Sequence, residues 1–247
     1  MNGLDLSKMD VVILCGGKGE RFQAVDKDRP KPMADIGGRP FLDILIKSLE
    51  RYKFCRFILC AGYKGEIIRD YYNARSGASE VITLIEDKPL GTAGAIKKAE
   101  SIIKGNHFLV LNGDSFCSIN YHDFIGFYHK KRSLCSIVVV KIDENDDGGL
   151  VKLDAEHRIV GFNEKLKTAS GDYLSAGIYI FDRKIFEIIE PENNLSLEYD
   201  IFPRLDRERF HGYILDSKVM DIGTPDRYVK AREFFKKYHL NRRVSDD

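Results

Sequence analysis

The chain of 247 residues lacks several features that would assign it to a broad class of protein. It has no excess charge of one sign, because 39 Lys and Arg face 38 Asp and Glu, and the formal net charge is +1. A nucleic-acid-binding surface normally needs a clear basic excess, so we expect no nucleic acid partner. There is also no apolar run of membrane-spanning length and no basic-then-apolar leader in MNGLDLSKMD. We therefore expect a cytoplasmic protein with no membrane partner.

Cysteine is present, but not in a metal-binding or disulfide pattern. The five cysteines, Cys15, Cys55, Cys60, Cys117 and Cys135, include no C-x-x-C pair, and their number is odd. Reduced and mostly buried thiols fit this pattern best, as in a cytoplasmic protein. Cys15 lies at the start of a glycine-rich segment, where we interpret it as a small packing residue rather than a nucleophile.

Two well-known phosphate-binding loops are absent, although glycines follow the first apolar run. A dinucleotide-binding fingerprint, G-x-G-x-x-G, would need a third glycine at position 22, where Phe22 stands. A P-loop would need Lys followed by Ser or Thr, and here Gly19 follows Lys18. The segment is therefore neither of these two loops.

Residues 13–33 read ILCGGKGERFQAVDKDRPKPM, and they are the most informative stretch of the chain. An apolar strand that ends near Leu14 is followed by three glycines, Gly16, Gly17 and Gly19. Glycines in this position let backbone N–H groups turn towards a ligand and cradle phosphates. Arg21 and Lys31 add two positive charges at the rim of the cradle. The segment predicts a nucleoside triphosphate site, whereas a bare glycine turn would need neither cation.

Apolar strands alternate with amphipathic helices through the first 140 residues. Strands are predicted at 11–14, 56–61, 107–111 and 135–140, and helices at 41–49 and 93–103. The second half predicts a hairpin from 150–154 and 158–163, strands at 173–181 and 213–221, and a last helix from Pro225. Such alternation implies right-handed βαβ units. The predicted fold class is α/β, with a Rossmann-like mixed, mostly parallel sheet flanked by helices.

The glycine-rich segment, with Pro30-Lys31-Pro32, resembles the signature of the sugar-phosphate nucleotidyltransferases, G-G-x-G-[ST]-R-L followed by P-K-P. Further family motifs follow in order: EDKPLGTAG at 86–94, LNGD at 111–114, FNEK at 162–165, SAGIY at 175–179 and DIGTP at 221–225. Within the family the chain is most similar to the heptose-1-phosphate guanylyltransferases. The resemblance implies the GT-A-like fold of the nucleotide-diphospho-sugar transferases.

The resemblance also implies how the chain is divided. We expect one nucleotidyltransferase domain over residues 1–247, with a nucleotide-binding half at about 8–140 and a sugar-phosphate-binding half at about 141–240. No repeat, low-complexity tract or flexible linker interrupts it. The left-handed β-helix of larger relatives is also missing, so neither their regulation nor their acyl transfer is expected. A homodimer is an open alternative to a monomer.

The reaction implied by the resemblance condenses a nucleoside triphosphate, with GTP favoured, with a sugar 1-phosphate, for which a heptose 1-phosphate is favoured. The products are pyrophosphate and a nucleotide sugar for a surface polysaccharide such as lipopolysaccharide or capsule. Because the attacking phosphate already carries negative charge, the enzyme needs no general base. It must align the groups and neutralise charge. Arg21 and Lys31 are the expected catalytic residues.

The family motifs assign residues to both substrates. The expected nucleotide contacts are Leu14, Gly16, Gly17, Gly19, Arg21, Gly91, Gly94, Asn112 and Asp114. The expected sugar-phosphate contacts are Glu164, Lys165, Ala176, Gly177 and Glu198. Lys165 is expected to bind the phosphate and Glu164 to accept sugar hydroxyls. Gly91 and Gly94 are expected to let the base or ribose lie against the backbone, and Gly177 either admits substrate or marks a simple bulge.

Mg²⁺ is the expected cofactor, because it prefers hard oxygen ligands and keeps waters while it binds substrate phosphates. The family motifs make Asp114 and Asp221 its ligands; Asp114 follows a predicted strand and Asp221 ends one. Ligands of open α/β sheets bind at the carboxyl ends of strands, which favours this assignment. The alternative interpretation of both carboxylates is a turn residue or a surface charge.

Two departures from the family pattern bear on the site. Glu20 stands where Thr or Ser is usual, which predicts a carboxylate beside the triphosphate, and Lys167 stands where a proline is often found.

Three alternative functions remain open. The chain could transfer a cytidylyl, uridylyl or other group to mannose or glucose 1-phosphate, or act on a small phosphorylated acceptor. It could also be a catalytically silent regulator that binds a nucleotide sugar, although Arg21, Lys31 and both aspartates are retained.

Overall fold

The computed structural model describes residues 5–142, 148–163, 173–191 and 193–243. The strands in these ranges are β1 (Asp10–Cys15), β2 (Arg56–Ala61), β3 (Glu80–Ile85), β4 (His107–Asn112), β5 (Ser115–Cys117), β6 (Cys135–Lys141), β7 (Leu150–Leu153), β8 (Ile159–Asn163), β9 (Tyr173–Asp182), β10 (Phe210–Leu215) and β11 (Val219–Asp221). The α-helices are α1 (Phe41–Glu50), α2 (Gly65–Asn73), α3 (Gly91–Lys98), α4 (Tyr121–Lys131) and α5 (Pro225–Arg243).

A mixed sheet with the order β10-β6-β9-β4-β1-β2-β3 forms the centre of the molecule. Strands β4, β1, β2 and β3 are parallel to one another, and β10 is parallel to β6. Only β9 interrupts this direction along the order, because it runs antiparallel to both β4 and β6. The hairpin β7–β8 is attached to this sheet, because β7 pairs antiparallel with β9. The predicted mixed, mostly parallel sheet is therefore confirmed.

The two faces of the sheet are covered by different helices, because side chains along a buried strand alternate between faces. On β1, Val11 and Ile13 pack into a core with α1, α4 and α5. Val12 packs on the opposite face with α3 and the short helical turns that include Phe202. Strand β1 is thus buried on both sides, which explains its continuous apolar sequence.

One strand prediction was wrong at the carboxyl-terminal end. Residues 213–221 were expected to form a single strand, but β10 already begins at Phe210 and ends at Leu215. A turn follows, and Val219–Asp221 forms β11, which pairs with β5 in a separate two-stranded sheet. Asp216, Ser217 and Lys218 interrupt the apolar residues at this point, but they do not reveal that the chain changes its strand partner there.

Helix α3 was predicted to extend to residue 103, but its α-helical part ends at Lys98. Beyond it, the amides of Ile102 and Ile103 both donate to the carbonyl of Ala99, which forms turns that do not continue as a helix. Ile103 remains buried and continues the apolar face. The apolar spacing was therefore correct for the packed face and wrong for the helix boundary.

Candidate active site

A cleft opens where β1 and β4 end, and it has two lobes that share Lys31, Asn112 and Asp114. The first, here called the glycine lobe, has a volume of about 430 Å³ and is lined by the loop after β1 and by the start of α3. The second, called the acidic lobe, has a volume of about 490 Å³ and is lined by residues that include Glu198 and Asp221. Both volumes are in the range of small-molecule sites.

The loop after β1, for which a phosphate cradle was predicted, lies along the glycine lobe. Leu14, Gly16 and Gly17 line this lobe. A Cβ built on Gly17 would meet no protein atom within 4 Å, so the space beside its backbone is open to a ligand. Gly19 has φ +58° and lies against Lys31, whose Cβ would be 3.2 Å from an added side chain. Gly19 therefore shapes the loop and the lysine beside it, and it lines neither lobe.

Lys31 lies at the junction of the two lobes. Its Nζ is 2.5 Å from Oδ2 of Asp114, and the two side chains are 17% and 30% exposed. The other oxygen of Asp114 accepts a hydrogen bond of 3.1 Å from the Ser115 hydroxyl. A cation held at this point can reach negative charge on a ligand in either lobe. Arg21, the second predicted cation, is exposed and lines the acidic lobe rather than the glycine lobe.

Glu20, whose carboxylate was predicted to lie beside the triphosphate, does not line the cleft. Glu20 is exposed, and it lines neither the glycine lobe nor the acidic lobe. The expected carboxylate beside the triphosphate is therefore not placed there by the loop. Lys18 does line the glycine lobe and adds a further cation near the cradle.

The small sheet β5–β11 brings the two predicted metal ligands to one place. Asp221 is paired with Ser115, and the amide of Ile222 donates to the backbone carbonyl of Asp114 at 3.1 Å. The Asp221 carboxylate accepts from the amide of Gly223 at 2.7 Å and forms an ion pair with Arg227 at 3.1 Å. The two aspartates therefore line the acidic lobe together, although they come from distant parts of the sequence.

This carboxylate pair fits a Mg²⁺ ion. Mg²⁺ is usually held by one or two carboxylates, with substrate phosphates and waters as its other ligands. Among the described residues, no group of three or more His, Cys, Asp or Glu side chains is arranged to hold a metal alone. A metal at Asp114 and Asp221 would therefore need substrate oxygens to complete its coordination.

Gly177 places the backbone of β9 against Asn112, and both residues line the acidic lobe. It has φ +68°, and an added Cβ would lie 2.7 Å from Nδ2 of Asn112. It also lies at an irregularity where Ile137 pairs with Tyr179 and Val139 pairs with Ser175. The two interpretations of Gly177, a bulge and a close approach to the substrate lobe, are therefore compatible, because β-bulges often redirect a strand beside an active site.

The remaining predicted sugar-side residues have different outcomes. Glu198 lines the acidic lobe. The side chain of Ala176 is buried in the core with Ile178, so only its backbone could contact a substrate. Glu164 and Lys165, like Lys167, lie outside the described residues.

Gly91 and Gly94 are needed for a protein contact that the sequence did not reveal. A Cβ on Gly91 would lie 2.4 Å from the carbonyl oxygen of Leu195, and one on Gly94 would lie 2.5 Å from that of Asn193. Gly91 also has φ +70° and lines the glycine lobe, whereas Gly94 lines neither lobe. Residues 193–195 therefore occupy the side of both glycines on which a Cβ would project, and the contact of either glycine with a base or ribose stays a prediction.

Sequence analysis missed a carboxylate in the glycine lobe. Glu86 follows β3, is half-buried, and lines this lobe near Gly16. Burial raises the pKa of Glu86, although the Leu90 amide, which donates to Oε2 at 3.2 Å, and the Lys98 charge act in the opposite direction. Its place in the EDKPLGT motif was the available signal, but no role had been assigned to it.

Cys15 also lines the glycine lobe, yet it is fully buried. Burial raises the pKa of its thiol well above the usual range, with smaller contributions from Cys60, Asp114 and Glu86. The thiol therefore stays protonated, which agrees with a packing residue and not with a nucleophile.

Comparison with known proteins assigns the chain to a family. The model of the family described as "Nucleotidyl transferase" matches residues 10–238. A D-glycero-alpha-D-manno-heptose 1-phosphate guanylyltransferase of Aneurinibacillus thermoaerophilus is 31% identical over 93% of this chain and 100% of its own. The enzyme of the same name from Campylobacter jejuni subsp. jejuni is 32% identical over 89% of this chain and 97% of its own.

A solved structure shows the same architecture. HddC from Yersinia pseudotuberculosis, complexed with GMP-PN, superposes with a TM-score of 0.81 at 37% identity and covers 92% of this chain and 99% of its own. The nucleotidyltransferase fold inferred from the motifs is therefore confirmed. No helix in the described ranges is both long and apolar enough to cross a bilayer.

Proposed function

The chain belongs to the nucleotidyl transferase family and is a sugar-1-phosphate nucleotidyltransferase, and from this premise we propose that it joins GTP to a heptose 1-phosphate. The observation that carries the proposal is the position of Lys31 and Asp114 where the glycine lobe meets the acidic lobe. A nucleotide in one lobe and a sugar phosphate in the other would bring the reacting groups together there. The relatives named as heptose 1-phosphate guanylyltransferases support both substrates.

The proposed reaction forms one bond and breaks one. A phosphate oxygen of the sugar 1-phosphate attacks the α-phosphorus of GTP, and the bond from that phosphorus to the bridging oxygen of the β-phosphate breaks. Pyrophosphate leaves with the electron pair, and GDP-heptose remains. No proton has to be removed from the attacking oxygen, so the catalytic contribution comes from alignment and charge neutralisation.

Different residues of the cleft align the substrates and neutralise their charge. Backbone N–H groups near Gly16 and Gly17 hold the triphosphate, and Lys31 neutralises charge that develops on the α-phosphoryl group. Arg21 approaches from the acidic lobe towards the sugar phosphate. Asp114 and Asp221 would hold Mg²⁺, which supplies further charge neutralisation when it is bound. Glu198 accepts hydroxyl groups of the sugar.

We propose that Glu86 contributes to the choice of guanine. A carboxylate only accepts hydrogen bonds, and the Watson–Crick edge of guanine presents two adjacent donors, N1–H and N2–H. Adenine presents an acceptor at N1 and would leave the carboxylate facing a lone pair. The half-buried position of Glu86 in the glycine lobe makes this difference larger than it would be in water.

Replacing Glu86 with glutamine should therefore weaken the preference for GTP. We expect kcat/KM for GTP to fall about tenfold to a hundredfold, because one carboxylate–guanine hydrogen bond contributes roughly 1.5–3 kcal/mol. The value for ATP should change little. Competition between the two nucleotides at a fixed sugar 1-phosphate concentration measures the ratio directly.

Asp87 provides the matched control, because it is the neighbouring carboxylate, is exposed and lines neither lobe. Asp87→Asn should leave the GTP:ATP ratio unchanged. If Glu86→Gln lowers turnover with both nucleotides by the same factor, Glu86 does not read the base.

A pyrophosphate-release screen tests the proposed function. The purified protein is assayed with Mg²⁺ and with GTP, CTP, UTP, ATP and dTTP, each combined with heptose, mannose and glucose 1-phosphates. Turnover confined to GTP with a heptose 1-phosphate supports the proposal. Turnover with another pair identifies a different transferase, and nucleotide binding without any turnover supports the silent regulator. Phosphocholine-like acceptors then test the small-acceptor alternative.

The product suggests where the enzyme acts. GDP-heptose is an activated sugar, and we propose that it supplies the synthesis of a surface polysaccharide such as lipopolysaccharide or capsule. The five cysteines are all free thiols, four of them buried. Free thiols persist in a reducing compartment, which supports a cytoplasmic enzyme.

A further inference from the structure

The side chain of Thr92 connects the two lobes of the cleft. Thr92 lies in the first turn of α3 and lines the glycine lobe, whereas Glu198 lines the acidic lobe. The Thr92 hydroxyl donates to Oε2 of Glu198 at 3.2 Å and accepts from the amide of Leu197 at 2.7 Å. One hydroxyl therefore holds both the carboxylate and the backbone that carries it.

A second hydroxyl fixes the same carboxylate oxygen. The Ser196 hydroxyl donates to Oε2 of Glu198 at 2.7 Å and accepts from the amide of Glu198 at 3.1 Å. The amide of Ser196 in turn donates to the Asp200 carboxylate at 2.7 Å. With Oε2 held by two hydroxyls, Oε1 is the oxygen that can accept a substrate hydroxyl. The short π-helix Leu197–Ile201 is thus held as a unit.

The backbone around Thr92 is packed against the same segment. The amide of Ala93 donates to the carbonyl of Leu195 at 2.8 Å, and the amide of Leu195 donates to that of Leu90 at 2.9 Å. The contacts of Gly91 and Gly94 with residues 193–195 leave no space for any side chain between the two segments. A shift of α3 at its first turn would therefore move the π-helix with it.

We infer that Thr92 is a positioning residue for the sugar phosphate, although its side chain lies in the lobe that holds the nucleotide. It acts through Glu198, whose Oε2 it fixes so that Oε1 faces the sugar. This inference rests on the proposed function, because it takes the acidic lobe as the sugar site.

The substitution Thr92→Val tests the inference, because valine keeps the shape of threonine and removes the hydroxyl. We expect the KM for the sugar 1-phosphate to rise about tenfold, since the hydrogen bond to Glu198 is lost and the Leu197 amide is left without its acceptor. The dissociation constant for GTP, measured by calorimetry without sugar phosphate, should stay within about twofold. Thr92→Ser keeps the hydroxyl and should restore the wild-type KM.

A double-substitution cycle shows whether Thr92 acts through the carboxylate. If it does, Thr92→Val combined with Glu198→Ala should raise the sugar phosphate KM no further than Glu198→Ala alone. Thermal unfolding of each variant identifies a general loss of structure. Additive effects in the cycle, or a failure of Thr92→Ser to restore the KM, would overturn the inference.

The wild-type assay separates this inference from the proposed function. The sugar 1-phosphate that the wild-type enzyme uses best is chosen for all variants, so a substrate other than a heptose 1-phosphate changes the proposed function alone. An active wild-type enzyme whose Thr92→Val variant keeps its sugar phosphate KM overturns the inference alone. A parallel rise of the KM and of the GTP dissociation constant also overturns it. A wild-type protein without activity towards any sugar 1-phosphate overturns both.

Discussion

Replacement of Lys31 by alanine is expected to lower kcat/KM for nucleotidyl transfer about a hundredfold to a thousandfold, because one charged contact to the transition state contributes about 3–4 kcal/mol. Lys31 is a cation at the junction of the two lobes, and its Nζ contacts Asp114, which lines both of them. A pyrophosphate-release assay over both substrate concentrations measures the loss. Since the reaction needs no general base, removal of positive charge should dominate the effect. Arg21→Ala should act in the same direction.

Two further variants separate charge from packing at this position. Lys31→Met keeps the apolar part of the side chain, which lies against Gly19, and removes only the ammonium group. It should be as inactive as Lys31→Ala and should unfold at a temperature close to that of the wild type. Lys130, an exposed lysine of α4 outside both lobes, is the matched control. Substantial activity in Lys31→Met would show that the lysine shapes the loop rather than neutralises charge.

Asp221→Asn is expected to lower kcat/KM by about a hundredfold or more and to raise the Mg²⁺ concentration that gives half-maximal activity, because a metal contributes several kcal/mol of charge stabilisation. Asparagine keeps an oxygen that can accept from the Gly223 amide, so the turn after β11 should persist. The lost ion pair with Arg227 is partly exposed and should contribute little to stability.

The metal dependence needs a measurement other than turnover. Mn²⁺ binding, followed by electron paramagnetic resonance in the presence of GTP, should be weaker in Asp221→Asn than in the wild type. Asp216 provides the control, because it is exposed, lies in the turn before β11 and lines neither lobe. Unchanged Mn²⁺ affinity in Asp221→Asn would exclude this carboxylate as a metal ligand.

Two elements of the fold were predicted closely, whereas α2, β3 and α4 were not predicted. The strand at residues 56–61 and the start of α1 at Phe41 were predicted with their observed bounds. Both are continuous local patterns that are buried on the core side, so composition and spacing are sufficient. Strand β11 was not separated from β10, because its existence depends on pairing with β5 and not on its own residues.

Site residues were predictable where they belong to a local motif whose residue types suit phosphate or metal binding. The glycines after β1, Lys31 and the two aspartates all lie in the cleft or beside it. Arg21 was expected to contact the nucleotide, and the sequence did not indicate that it lines the acidic lobe. The contact of Gly94 with Asn193 joins segments about a hundred residues apart, which no local pattern can reveal.

The pairing of β5 with β11 has a consequence for the order in which the molecule is completed. Ser115 and Asp221 are separated by roughly a hundred residues, so the contact has a large loop-closure entropy to overcome. During synthesis, the glycine loop and Asp114 leave the ribosome long before β11 exists. In a nascent chain the glycine loop and Asp114 are therefore present roughly a hundred residues before the second aspartate exists to join them.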